Sequence, residues 1–561
     1  MGSSSATGSR SATGSGSATP MRIRDPTAQP SSAHPLSPSI GAVTAAPTLG
    51  LARSAPATLL DRLRADPRRR RVLRWAAPAL VLLLAAVARL WNLGEPHSLV
   101  FDETFYVKDA WTLLHLGYEG DWPDDANAAF EAGDVDGYSS DPSYVAHPPL
   151  GKWFIALGLA AFGAENAAGW RIATALAGVL LVALTMVVAK LLWRSTVLAC
   201  VAGLVLAIDG GAIVLSRVAL LDVFLALLGL LGATFVLLDR RWARQRLERW
   251  LARRDGRSTD WGPTFWWRPW LLAAGVAFGL ASGVKWSGLY LLAVFAVYSV
   301  VSDMLDRRRA GVHFWFTGTV AGQGLPSFLL TVPAALAAYL VTWTGWLVTS
   351  GGYYRGWSAE AGNAWTGALS WVPLPLQSLW HYHDSVYRFH VGLAAEHGYA
   401  SPAWQWPLLL RPTSMHYEAA EGGGTAALIT SLPNPLLWWG GFAAMVWLLY
   451  RLIRSRDRTL GLPLVGLAAT WLPWLLYPER TMFQFYGIAF QPYLALAIAA
   501  VAGAMLATPA HPVSRRQTGK RILLVLLIAA LAISAFFYPV WTGIEAPIGF
   551  LRAHYWLPGW I

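Results

Sequence analysis

Long apolar blocks, cut apart by short runs rich in arginine, constrain this chain more than any other feature of its sequence. Several reach the roughly 20 residues that a helix needs to cross about 30 Å of hydrocarbon, among them Trp75 to Leu93, Gly169 to Leu192 and Lys520 to Val540. Lipid offers a backbone no partner, so each such block must be a helix that satisfies its own N–H and C=O groups. Of the 561 residues, 55% are apolar and 14% charged, which excludes an ordinary soluble domain. A net charge of +12 would suit nucleic acid, but the basic residues gather between the apolar blocks, at Arg68 to Arg71, Arg240 to Arg254, Arg307 to Arg309 and Arg515 to Arg521. That is the positive-inside pattern of a membrane protein and argues against a nucleic-acid partner. Many of the 31 tryptophans stand near block ends, where they serve as interfacial anchors. The single cysteine, Cys200, lies in an apolar block and permits neither an intrachain disulfide nor a thiolate zinc cluster.

The expected architecture is an all-α polytopic membrane protein. Residues 1–20 are low-complexity Ser, Gly, Thr and Ala and look like an expression linker ahead of a native start at Met21. Residues 21–73 read as a disordered cytoplasmic tail, since their Pro, Ala and Ser content buries no core. Eleven spans are predicted, at 74–93, 168–191, 196–215, 217–238, 269–284, 286–303, 327–349, 434–453, 461–476, 485–506 and 521–540. With the N-terminus in the cytoplasm, the basic runs fall on that side and the C-terminus on the other. The loops 94–167 and 350–433 then lie outside, the second as a Trp-, Tyr- and Pro-rich cap. Pro148 to Phe162 follows a di-proline and reads as an interfacial helix rather than a span.

The outer segments hold the residues capable of chemistry. Asp102 and Glu103 stand within about ten residues of a span end, where a carboxylate of raised pKa can act as a general base. Adjacent acids point in different directions, so two roles fit better than one shared proton; taken alone, such a pair is more often a solvated loop or a helix N-terminus. Arg171, Arg217, Asp222 and Lys285 are charges in or against spans, costly unless paired or lining a cavity. Arg217 and Asp222 are spaced for an ion pair. Arg171 and Lys285 have no local partner, which makes them candidates to hold a lipid phosphate, with snorkelling to the interface as the alternative. His147 borders the elbow Pro148-Pro149. His381, His383, His390 and His397 raise metal binding, but their spacing fits hydrogen bonding or aromatic packing better, and the metal question stays open. Trp365, Trp371, Trp380, Tyr382, Trp404 and Trp406 would suit stacking on a sugar or filling the cap. No nucleotide-binding motif or nucleophile elbow occurs.

Several segments occur in an order that resembles the protein O-mannosyltransferases: Asp102-Glu103, His147 to Lys152, Ser216 to Asp222, Ser282 to Trp286, Tyr399 to Pro407 with Arg411, Glu479 to Phe483 and Trp556 to Ile561. The resemblance covers about residues 75–561 and implies a GT-C glycosyltransferase fold over 74–561. It further implies a polyprenyl-phosphate-mannose donor, Ser or Thr hydroxyls of secreted proteins as acceptors, and inversion at the sugar carbon. It makes Asp102 and Glu103 the catalytic pair, Asp102 as the base and Glu103 as its neighbour in acceptor or site organisation. Arg171 would lie near the lipid phosphate, with Lys285 and Arg217 as further donor-side cations, and His147, Asp222, His390, Trp404, Arg411 and Arg480 as supporting or acceptor-side residues. Membrane lipids and the protein translocation machinery are the partners it suggests, and no cofactor is called for. The 350–433 loop is too short for the β-trefoil MIR domain of eukaryotic members, which points to the bacterial branch; Ala403 replaces a usual proline. Competing readings are a GT-C transferase acting on a glycan or lipid, and a secondary transporter, for which the chain shows no repeated halves.

Overall fold

A computed structural model describes residues 67–254, 260–506 and 512–561. The expected linker and residues 21–66 of the expected tail lie outside the described residues. The first helix begins at Pro67, so residues 67–73, expected in the tail, are helical.

The helices follow the apolar blocks closely. In chain order they are α1 (Pro67–Leu90), α2 (Glu103–Leu116), α3 (Ala126–Glu131), α4 (Leu150–Phe162), α5 (Ala167–Trp193), α6 (Thr196–Ala207), α7 (Gly210–Arg217) and α8 (Asp222–Ala252). There follow α9 (Pro269–Val284), α10 (Gly288–Arg309), α11 (Trp315–Thr342), α12 (Thr344–Val348), α13 (Leu374–Gly392), α14 (Pro435–Ser455), α15 (Gly461–Trp471), α16 (Gln491–Leu506), α17 (Val513–Thr542) and α18 (Ile548–Arg552). Polar caps set the starts of several. The Asn166 side chain accepts from Ala168 N, that of Ser195 from Leu198 N, and that of Asn434 from Leu436 N and Leu437 N, with Pro435 at the first helical position.

Among the described residues seven helices are long and apolar enough to cross a membrane, and the bent pair α6 and α7 makes up to eight. The eleven expected spans exceed that number. Two of them, α9 and α16, are apolar but short, and α1 does not pass the same length and composition test. The single span expected over 196–215 is broken: α6 and α7 meet at 63°, and Asp209 caps α7 through Ala212 N. The span expected at 327–349 starts instead at Trp315, because Gly318–Gly324, loop-like by composition, continues as a π-helical stretch. The interfacial helix expected up to Phe162 is α4.

Helix α9 is sandwiched between α8 and α11, while α5 packs on α1, α4, α6 and α8. The core runs through these contacts and is filled by buried residues such as Leu215, Leu220, Leu221, Val223, Phe278 and Phe295. One departure from an all-helical chain is a small antiparallel sheet of β1 (Thr413–Ala419), β2 (Thr425–Ser431) and β3 (Ala546–Pro547). Gly422 and Gly423, at φ of 97° and 75°, make the β1–β2 turn. The sheet ties the cap to the C-terminal tail. The cap itself packs as a second cluster, with Trp343 and Trp346 against Leu379, Tyr382 and Val386 of α13.

Candidate active site

The chain leaves α1 and turns into α2 through Phe101, a non-glycine residue in the left-handed region at φ 54°, a conformation that costs of order 1 kcal/mol or more and tends to mark functional turns. Asp102 follows at the N-cap of α2 and Glu103 is its first residue. The two acids diverge sharply. Glu103 is fully buried and accepts four hydrogen bonds: from Val100 N (2.8 Å), Ala219 N (2.7 Å), Arg171 Nε (2.8 Å) and Arg171 Nη2 (2.8 Å). Asp102 is half-buried and receives a side-chain bond only from Tyr106 Oη, at 3.5 Å. Burial pushes its carboxyl up to about 6; nearby Asp222 adds to the rise, and Lys285 and the Tyr106 hydroxyl oppose it. A carboxylate so poised is a competent base near neutral pH.

Arg171 does not stand free as its sequence surroundings suggested. Its partner lies 68 residues away in Glu103, and its remaining N–H groups go to the carbonyls of Leu93 (3.4 Å), Pro96 (2.8 Å) and Ser98 (2.8 Å). With five donors occupied and 1% exposure, it has nothing left for a phosphate. The expected Arg217–Asp222 pair does not form either. Helix α7 ends at Arg217 and Val218 is extended (ψ 138°), so helical spacing fails between them. Arg217 closes the end of α1, donating to the carbonyls of Arg89 (3.1 Å), Trp91 (2.7 Å) and Asn92 (3.0 Å). Neither arginine lines the cavity described below.

That cavity, of about 1120 Å³ including its open mouth, is walled in part by Lys285 and Asp222, whose charges act on Asp102, while Asp102 itself is not in the wall. Its cations are Lys285 and Arg480. Lys285 Nζ pairs with Asp222 Oδ2 at 2.7 Å and sits 5.2 Å above the Tyr486 ring, which leaves two of its protons uncommitted. Arg480 lies 5.4 Å over Trp474; its Nε donates to His390 O (3.1 Å), Nη1 to Thr481 O (3.3 Å) and Nη2 to His390 Nδ1 (3.2 Å). Two of its N–H groups remain. His390 Nε2 donates to Ala146 O at 2.8 Å, so both ring nitrogens are used in the neutral form, and burial holds its pKa down to about 4. His147 stacks on His390 with ring centres 5.4 Å apart. Leu225, Leu291 and Ala469 continue the wall towards the apolar bundle.

The motif around His147 explains its placement. Pro149 caps α4, and Gly151 lets that helix press on the α7–α8 connection, where a Cβ would stand 2.7 Å from Leu221 Cδ2. Lys152, fully buried, pairs with Glu119 and with Asp109 (3.4 Å). Two expected site residues lie elsewhere. Arg411 donates to Gly398 O (2.9 Å) and Gly559 O (3.0 Å) and so fastens the C-terminal tail. Trp404 is 57% exposed and does not line the cavity. The histidines of the cap part company: His381 stacks on Trp357, His383 meets Tyr339, and His397 packs on Phe101 and Phe483. Among the described residues no group of three metal-ligating side chains converges. Sequence reasoning missed Tyr106, Tyr290, Tyr477 and Tyr486, which border Asp102 or the cavity and carry no spacing signal.

A broken-helix bundle with a carboxylate and cations around one cavity near its end defines a multi-pass membrane protein of the GT-C glycosyltransferase fold. The family model for dolichyl-phosphate-mannose-protein mannosyltransferase matches residues 79–349, and that for the C-terminal four-transmembrane region of protein O-mannosyltransferase matches 375–560. The polyprenol-phosphate-mannose–protein mannosyltransferase of Mycolicibacterium smegmatis is 34% identical over 506 residues, 87% of this chain and 93% of that protein. The proteins of that name from Mycobacterium tuberculosis (32%, covering 94% and 97%) and Corynebacterium glutamicum (30%, covering 87% and 93%) are similar. The chain belongs to the protein O-mannosyltransferase family. Its fold resembles the Saccharomyces cerevisiae Pmt1–Pmt2 complex, solved with its sugar donor, at a TM-score of 0.62 and 14% identity, covering 87% of this chain and 92% of that one.

Proposed function

We propose that this chain transfers mannose from polyprenyl-phosphate mannose to Ser or Thr hydroxyls of secreted proteins, at the extracytoplasmic face of a bacterial plasma membrane and with inversion at the sugar carbon. The observation that carries the reading is a carboxylate outside any ion pair, Asp102, within electrostatic reach of Lys285, which shares one cavity wall with Arg480 and like it keeps donors unspent. A hydroxyl is a poor nucleophile until a base takes its proton, and a departing phosphate needs cations where its charge develops. Asp102 takes the acceptor proton as the acceptor oxygen bonds to the sugar C1. The C1–O bond to phosphate breaks, and Lys285 and Arg480 stabilise the charge left on that oxygen. Glu103 and Arg171 hold the base in place and touch neither substrate.

The basic runs orient the N-terminus to the cytoplasm and the site to the opposite side. There an acceptor still in extended form, as the translocation machinery delivers it, presents its hydroxyls best. The test is transfer in detergent from polyprenyl-phosphate mannose to a Ser/Thr-rich peptide. Wild-type protein forms mannosyl-peptide, and Asp102→Asn forms none while still binding donor. Absence of product with wild type refutes the function, and a wild-type rate in Asp102→Asn refutes the base.

A further inference from the structure

His147 is a polar residue of the cavity wall that the chemistry above leaves unused. Its Nδ1 is buried and, among the described residues, has no hydrogen-bond partner, a condition that destabilises a folded protein and calls for an explanation. The ring's surroundings fix its location. On one side it stacks on His390, which receives Arg480; on the other its centre lies 6.1 Å from that of Tyr106, whose hydroxyl reaches Asp102. His147 thus lines the cavity in ring contact both with the residue that receives Arg480 and with the tyrosine that reaches Asp102. In a displacement at C1 the sugar ring is joined to the phosphate and faces the attacking oxygen, which brings it against this wall.

We propose that His147 is a donor-recognition residue whose ring nitrogen hydrogen-bonds a hydroxyl of the transferred mannose. This rests on the mannosyl-transfer reading. A phosphate-binding role fits the surroundings less well. Burial, together with Lys285, His390, Lys152 and Arg480, holds the imidazole well below its usual pKa, so it stays neutral and brings no charge to a phosphate. A neutral ring with a spare nitrogen suits a sugar hydroxyl, with which it can act as donor or acceptor.

The experiment compares wild type, His147→Phe, which keeps the stacked ring, and His147→Asn, which restores a polar group near Nδ1. Each is assayed for kcat/KM with polyprenyl-phosphate mannose and with donors lacking one mannose hydroxyl at a time. In wild type one deoxy donor loses about tenfold, the worth of a good neutral hydrogen bond. His147→Phe loses about the same with the parent donor and nothing further with that deoxy donor, while the other deoxy penalties persist. His147→Asn recovers most of the loss, and the acid limb of the pH profile stays where it is in all three. The proposal is overturned if every deoxy penalty survives unchanged in His147→Phe, if the acid limb disappears in that variant, or if binding of sugar-free polyprenyl phosphate weakens as much as binding of the donor. Failure of wild type to use any mannosyl donor strikes the mannosyl-transfer reading instead.

Discussion

Arg171 offers the sharpest separation between a positioning role and a phosphate-binding one. Substituting Arg171→Ala removes both charge-assisted bonds to Glu103 and uncovers the carbonyls of Leu93, Pro96 and Ser98. At a separation of 2.8 Å and an effective dielectric of about 20, the ion pair is worth about 6 kcal/mol before desolvation. Desolvation of both ions consumes much of that, so the pair nets little against an apolar replacement. Leaving Glu103 charged and alone nevertheless costs about 3–5 kcal/mol. The loop that carries Asp102 is thereby loosened, so kcat falls by at least about a hundredfold, as expected when a reacting group shifts by about 1 Å, while KM for the donor changes little. Thermal unfolding in detergent should report a clear loss for Arg171→Ala and for Glu103→Leu. The double variant Arg171→Ala/Glu103→Leu should be more stable than either single one, with a coupling of about 3 kcal/mol. An Arg171→Ala protein of wild-type stability, with donor KM raised tenfold or more and kcat intact, would refute this account and return Arg171 to the phosphate.

Three further outcomes follow from the same geometry. Because Asp102 must be ionised to accept a proton and its carboxyl lies near 6, kcat/KM should be flat above about pH 7 and fall about tenfold per unit well below 6; a profile flat down to pH 4 contradicts the assignment. Lys285 pulls that pKa down, so Lys285→Met should raise donor KM and also move the acid limb to higher pH, both read from one pH series; an unmoved limb would place Lys285 out of reach of the base. Arg411→Ala should release the tail after Trp556 to added protease while leaving donor KM as in wild type, because its partners are Gly398 and Gly559 rather than the cavity.

What the sequence revealed and what it hid divide along a physical line. Properties carried by consecutive residues were legible: α9 occupies the expected 269–284, and α5 extends the expected 168–191 by one or two residues at either end, since apolar length and caps are local. The span expected from 327 begins at Trp315, since Gly318–Gly324 carries the helix on as a π-helical stretch. The β1–β2 hairpin escaped notice because its strands are short and lie inside a loop that carried no alternating pattern of its own. At the site the residue types were legible but their pairings were not. Asp102 and Glu103 have the different surroundings that adjacent acids should have, yet nothing local marks Arg171 as the partner of Glu103, or Asp222 as the partner of Lys285 across 63 residues. Such pairings depend on which helices pack together, and a spacing rule applied across Arg217 to Asp222 failed as soon as the helix between them ended.

The four hydrogen bonds on Glu103 also bear on how the chain matures. They come from Val100, from Arg171 in α5, and from Ala219 just past α7, positions spread over 120 residues. While the chain is being threaded into the membrane, Asp102 emerges long before Arg171 or Ala219 exists to anchor its neighbour. If Asp102 is aligned only after α7 has been placed, a half-inserted chain is catalytically silent. Activity in a nascent protein thereby becomes a sign that α1, α5 and α7 have already found one another.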